Sequence, residues 1–191
     1  MKKLLFIHGY NGSPYGNSYN LLNDAIDHSK YELFTIDYDA ADPEHSVEAI
    51  EAFVKSNGID MIIGTSLGGF LALNCFGVPR IVHNPCMRPS EELPKIGMDL
   101  SDASKYKHFE DMFDDYADQN ERLIVSAVFA SDDELLGKDN KAVYSRHLAN
   151  EHIIPGNHFM DKTSAEAIAS VIGPFFEQIR EDAYKSSITR P

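Results

Sequence analysis

Residues 62–69 read Ile62-Ile63-Gly64-Thr65-Ser66-Leu67-Gly68-Gly69, and this stretch decides the fold. The apolar run Met61 to Ile63 has the character of the end of a buried strand, and an apolar helical pattern (Phe70, Leu71, Leu73) begins directly after Gly69. Between them lies a Gly-x-Ser-x-Gly turn. A strand entering and a helix leaving are what a nucleophile elbow requires, and its turn is so tight that the flanking positions take almost no side chain. Gly64 and Gly68 occupy those positions. The helix N-terminus behind the turn offers unpaired backbone N–H groups and the positive end of a dipole. Ser66 is the candidate nucleophile.

Outward from the elbow, strand and helix patterns alternate. Residues 3 to 8 form a short apolar strand ending in His8-Gly9-Tyr10, followed by a loop rich in Gly, Ser, Pro and Asn. Tyr19 to His28 has helical spacing with Ser18 as its cap, and Tyr31 to Asp37 reads as a strand. Asp42-Pro43 opens a helix that Asn57-Gly58 stops, and Ile59 to Ile63 feeds the elbow. Further strands are expected at Arg80–His83, Leu123–Ala130 and His152–Ile154. Helices are expected around Asn140–Ala149 and from Thr163 into the 180s, the last kinked or split at Gly173-Pro174, with Lys185–Pro191 frayed. The alternation predicts an α/β fold, a mostly parallel sheet of about six strands with helices on both faces, in a single domain spanning 1–191.

Residues 87–121 break the alternation. The segment is poor in apolar residues, and over 91–121 ten acids against three lysines leave a charge of −7. A long insertion in a compact domain is usually functional or mobile, so it is expected either to lie over the site like a lid or to be a solvated helical excursion.

Composition narrows the function classes. The 191 residues are 43% hydrophobic and 25% charged, with a mean hydropathy of −0.30, ordinary for a globular protein. The net charge of −13 opposes nucleic-acid binding, which needs a basic patch, and none is found. The apolar run after Met1-Lys2-Lys3 is four residues long, too short for an export signal, and no stretch approaches a membrane span. Two cysteines, Cys75 and Cys86, are then expected as free thiols in a reducing cytoplasm. Composition leaves the assembly as a monomer or small homo-oligomer.

A serine nucleophile needs a base, and the base needs a carboxylate to orient it. In α/β-hydrolases these follow in the order Ser, acid, His, each in a loop just past a strand. The strand 123–130 empties into Ser131-Asp132-Asp133-Glu134, and the strand 152–154 into Pro155-Gly156-Asn157-His158. His158 is the candidate base. Of the three adjacent acids Asp133 comes first, then Asp132, then Glu134; the trio also has the composition of a solvated loop. His152 reads as structural, His28, His45 and His108 as surface positions, His147 as helical, and His83 as a buried histidine near the site. The loop after the first strand is where a second oxyanion donor belongs, so the N–H groups of Tyr10 and Leu67 are the candidate pair. The acids have no neighbouring cluster at ligand spacing, so no metal is expected. Cys75 falls on the elbow helix as a packing residue, and Cys86 lies past Asn84-Pro85 in a loop bordering the site.

Taken together, Leu5-Phe6-Ile7-His8-Gly9-Tyr10-Asn11-Gly12-Ser13-Pro14, Gly64-Thr65-Ser66-Leu67-Gly68-Gly69-Phe70, Asn84-Pro85-Cys86-Met87-Arg88-Pro89, Asp133-Glu134 and Gly156-Asn157-His158-Phe159 resemble the small bacterial YqiA-type esterases of the α/β-hydrolase superfamily. The resemblance implies a cytoplasmic serine esterase acting on acyl esters and thioesters without a cofactor, and maps its triad to Ser66, Asp133 and His158. One departure is Ala130-Ser131-Asp132, where such enzymes usually carry a glycine before the acid, so Asp132 and Asp133 both stay open. Arg88 is expected either to line the pocket or to pin the insertion through a salt bridge.

The expected function is hydrolysis of a small-molecule carboxylic ester or thioester through an acyl-enzyme. The same triad could serve an amidase or peptidase, since specificity resides in the pocket rather than the fold. The remaining alternative is a binding protein that has kept the scaffold and lost catalysis.

Overall fold

In the computed structural model, which describes residues 1–115 and 119–188, the apolar runs become six strands. They are β1 (Lys2–Ile7), β2 (Tyr31–Thr35), β3 (Met61–Thr65), β4 (Arg80–His83), β5 (Val125–Ala130) and β6 (Glu151–Ile154). The sheet order is β2-β1-β3-β4-β5-β6, and every neighbouring pair is parallel. Parallel neighbours require crossovers, and helices provide them. The first three are α1 (Asn17–Ala25), α2 (Pro43–Asn57) and α3 (Leu67–Leu73). Four short helices join β4 to β5: α4 (Pro89–Glu92), α5 (Leu100–Ala103), α6 (Lys107–Asp114) and α7 (Gln119–Leu123). Then come α8 (Gly137–Ser145) and the long α9 (Lys162–Ile188).

Strand side chains alternate between two cores, as a sheet covered on both faces demands. Leu4, Phe6, Met61, Ile63, Ile81 and Val128 face α1 and α9. Leu5, Ile7, Ile62, Val82, Ala127 and Phe129 face the opposite way, toward α2, α3 and α8. The ends of α2 are as its sequence predicts. Asp42 Oδ1 accepts the His45 N–H at 3.2 Å, Pro43 takes the first turn, and Gly58 closes the helix at φ +63°.

Several boundaries differ from expectation. Gly16, not Ser18, caps α1, and Ile59 still bonds back to Val54, so β3 begins at Met61. Leu123 belongs to α7 rather than to β5. Gly173-Pro174 does not split the last helix, which runs on through Ile188. Ile168, Ile172 and Phe175 are all buried on the same core, so packing on both sides of Pro174 outweighs its one lost hydrogen bond. Of the tail expected to fray, 185–188 is helical and 189–191 lies outside the described residues.

The segment 87–121, of which 116–118 lie outside the described residues, packs one apolar side onto the domain and leaves its acidic and lysine side chains largely exposed. Leu93, Met98, Ala103, Tyr106 and Phe113 are buried and join the core around Phe70. Arg88 forks onto both Asp114 oxygens at 2.8 and 2.9 Å, and the buried Glu110 takes the N–H and hydroxyl of Ser90. At the far end Glu121 pairs with the fully buried Arg80, which also donates to the Cys75 carbonyl at the end of the elbow helix. Arg88 thus braces the segment. Of the segment's described residues, Ile96 alone lines the cavity described next.

Candidate active site

The strand order reverses between β1 and β3: one leads outward to β2, the other toward β6. In an open parallel sheet this leaves a crevice beyond the carboxyl ends of the two strands. Ser66 stands there, at φ +53° and ψ −121°, between β3 and α3. That conformation costs of order 1–3 kcal/mol in a non-glycine residue, so the surroundings must hold it. Ser66 N–H donates to the His83 carbonyl at 2.9 Å, and the Ser66 carbonyl accepts from Phe70 and Cys86 at 3.1 and 3.0 Å. A Cβ on Gly64 would overlap the Gly68 carbonyl, and one on Gly68 would overlap the carbonyls of Ile7 and His8. The elbow is pressed directly against the end of β1.

His158 comes from the loop after β6 and is 3% exposed. Its Nε2 lies 3.0 Å from Ser66 Oγ, and its Nδ1 lies 3.0 and 3.1 Å from the two Asp133 oxygens. A carboxylate only accepts, so Nδ1 carries the proton and Nε2 is left to accept from the serine. Burial by itself would raise the Asp133 carboxyl. The hydrogen bonds from His158 and from the N–H groups of Leu136 and Leu135 outweigh it and hold the group below the ordinary carboxylate value. The other two acids lie elsewhere. Asp132 takes the Ser131 hydroxyl, and Glu134 accepts the His158 backbone N–H at 3.1 Å.

The loop after β1 lies against the serine. A Cβ on Gly9 would sit 3.1 Å from Ser66 Cβ and 3.7 Å from its Oγ, so a larger residue would have to push the serine side chain by a few tenths of an ångström. Tyr10 follows in the wall of the cavity. Leu67 opens α3, so its N–H has no carbonyl one turn back. His8 stacks on Tyr38 at 4.6 Å, its Nδ1 lies 2.8 Å from the Gly9 carbonyl, and the Tyr38 hydroxyl donates to its carbonyl.

The crevice is a cavity of about 570 Å³. Its lining includes the apolar Ile96, Leu135, Phe159 and Met160, the Asn11–Ser13 loop and the start of α1, and among the described residues no Lys, Arg, Asp or Glu lines it. A second cavity of about 680 Å³ lies on the far side of Asp133 and reaches neither Ser66 nor His158. Among the described residues no group of His, Cys, Asp and Glu could hold a metal. Both thiols are buried; burial pushes Cys75 up to about 12 and Cys86 higher still, so neither is a nucleophile at neutral pH. Burial and the neighbouring His158 push His83 down to about 4, so it is neutral and hydrogen-bonded to Thr65.

Two residues matter to this geometry that sequence reasoning passed over. Asn84, quoted above only as part of a motif, is fully buried and hydrogen-bonds the backbone leading to Asp133 and the backbone of the His158 loop. Asn140 clasps the turn after it, accepting from Met87 N–H and donating to the Pro85 carbonyl. An asparagine at a strand end gives no local hint of such partners.

The chain is similar to MGS-MChE2, an α/β hydrolase enzyme from the metagenome of lagoon sediments at Mar Chica, Morocco. The two share 15% identity over 93% of this chain and 91% of that one, with a TM-score of 0.69. It is also similar to the esterase domain of a Rhodothermus marinus protein (14% identity, 91% and 85% covered, TM-score 0.66). A third likeness is to the monoacylglycerol lipase of Paleococcus ferrophilus (13% identity, 92% and 94% covered, TM-score 0.65). With the sheet order, these likenesses define the class: an α/β-hydrolase fold. Within that class the chain belongs to UPF0227, an uncharacterised protein family also known as the YqiA family, whose model matches residues 3–166.

Proposed function

We propose that this chain is a serine hydrolase that cleaves carboxylic esters through an acyl-enzyme. The observation that carries the reading is the hydrogen-bonded line Ser66–His158–Asp133 opening onto an uncharged cavity. His158 Nε2 takes the hydroxyl proton as Ser66 Oγ attacks the ester carbonyl. The Leu67 and Tyr10 N–H groups receive the oxyanion, and Asp133 stabilises the imidazolium. Collapse breaks the C–O bond of the ester, and His158 returns the proton to the departing alcohol. Water then repeats the sequence on the acyl-enzyme, with His158 again as base. Within this reading the apolar lining residues Ile96, Leu135, Phe159 and Met160 take the acyl chain. Segment 87–121 contributes Ile96 to that lining. The esterases and lipases of the same fold are consistent with the proposal. No helix among the described residues is long and apolar enough to cross a membrane.

The test is a short p-nitrophenyl ester with wild type and Ser66→Ala, together with a fluorophosphonate probe. The expected result is turnover and labelling at Ser66 in the wild type and neither in the variant. A variant that still hydrolyses the ester would overturn the scheme.

A further inference from the structure

The base hangs from an exposed part of the molecule. β6 is four residues long and pairs on one side only, with β5. The next residue after His158, Phe159, is 69% exposed. Glu134 takes the His158 N–H from the neighbouring loop, which is itself near the surface. Fixing the ring within the few tenths of an ångström that a productive hydrogen bond tolerates therefore also calls for a hold on the carbonyl side from the sheet centre.

Asn84 is in that position. It directly follows β4, the strand next to the elbow strand, and it is fully buried. Its Oδ1 accepts the Ala130 N–H at 2.8 Å, which orients the amide so that Nδ2 points the other way. Nδ2 then donates to the His158 carbonyl at 3.0 Å and to the Asn157 carbonyl at 3.2 Å. Ala130 is the last residue of β5 and leads into the Asp133 loop. The backbone around Asn84 also grips the nucleophile, through His83 carbonyl to Ser66 N–H and Cys86 N–H to Ser66 carbonyl. At φ +41° the residue sits in the left-handed region, which asparagine tolerates better than most side chains.

Building on the hydrolase reading above, we propose that Asn84 is a positioning residue for that reaction: its amide ties the loops of His158 and Asp133 to the turn that holds Ser66. It touches no substrate, being absent from the wall of the cavity. One side chain thereby sets the backbone of base and acid against a common frame. Misplacing a catalytic group by about 1 Å can cost about 10²-fold in rate without altering how substrate binds.

The experiment uses two variants of the full chain on a short p-nitrophenyl ester. Asn84→Asp is isosteric and keeps the acceptor for Ala130, but turns an oxygen toward the two loop carbonyls. Asn84→Gly keeps the backbone conformation and deletes the amide. In both, kcat should fall by about 10²-fold with KM within about threefold, and the rate of Ser66 labelling by a fluorophosphonate should fall in parallel with kcat. Folded variants with near-wild-type kcat, or with KM raised and kcat retained, overturn the proposal. If both variants fail to fold cooperatively, the role is structural and the proposal is equally overturned. A wild type that neither turns over ester nor labels at Ser66 would instead defeat the hydrolase reading itself.

Discussion

Asp133 holds His158 with both carboxylate oxygens, at 3.0 and 3.1 Å from Nδ1, while its Oδ1 also accepts the N–H groups of Leu135 and Leu136. The acid is therefore fixed by its own loop before it orients the ring. Asp133→Asn keeps the shape but offers an amide to Nδ1 and favours the wrong tautomer, so ester turnover should drop by about 10⁴-fold. Asp132→Asn removes a carboxylate whose partner among the described residues is the Ser131 hydroxyl, and it should leave turnover unchanged. Steady-state kinetics on the two variants decides between the acids.

The same contacts give a pH dependence. The folded state holds the Asp133 carboxyl below its ordinary value, so ionised Asp133 adds stability above that value. That contribution is lost as pH falls toward the lowered pKa. Asp133→Asn lacks it at every pH, so the stability gap between wild type and variant should narrow on acidification. Urea denaturation at a series of acid pH values measures the gap.

Gly68 and Gly58 contrast two reasons for a glycine. A Cβ at Gly68 meets the carbonyls of Ile7 and His8, which are backbone and cannot swing aside. Gly68→Ala should cost about 3 kcal/mol or more and abolish labelling of Ser66. Gly58 has φ +63° with open space around it, so Gly58→Ala should cost only about 1–2 kcal/mol and leave labelling intact. Chemical denaturation and probe labelling together separate the two cases.

Charge should select the leaving group. Among the described residues the cavity has no Lys or Arg in its wall, the chain carries −13, and the stretch 91–121, which supplies Ile96 to that wall, carries −7. Under the proposed function, kcat/KM should be higher for a neutral ester than for the corresponding acyl-coenzyme A. The coenzyme A value should rise between about 0.01 and 0.1 M salt, as the Debye length contracts from about 30 to about 10 Å. No salt response would remove electrostatic repulsion from the account.

Much of the architecture is legible locally. Each strand end was marked by a polar or glycine-containing loop, and those loops carry Gly9, Ser66, Asp133 and His158 to one edge of the sheet. Boundaries were harder: Ile59 and Leu123 are apolar enough for strands, yet hydrogen bonds to Val54 and within α7 claim them. The segment 87–121 reads from sequence as either a lid or a solvated excursion, because ten acids against three lysines fall within 91–121 and its apolar residues follow no long regular pattern. In the fold five of those apolar residues turn inward, and several acids pair with Arg88, Arg80 and Ser90.

Sequence alone determined the alternating α/β order, the strand–turn–helix at Ser66 and the loops that bear its partners, because each depends on residues adjacent along the chain. Tertiary structure decided which of three neighbouring acids meets His158, that α9 runs unbroken past Pro174, and that Asn84 binds the carbonyl of a residue 74 positions away. Those outcomes depend on distances between chain segments that packing alone brings together, and no local pattern of residue types encodes them.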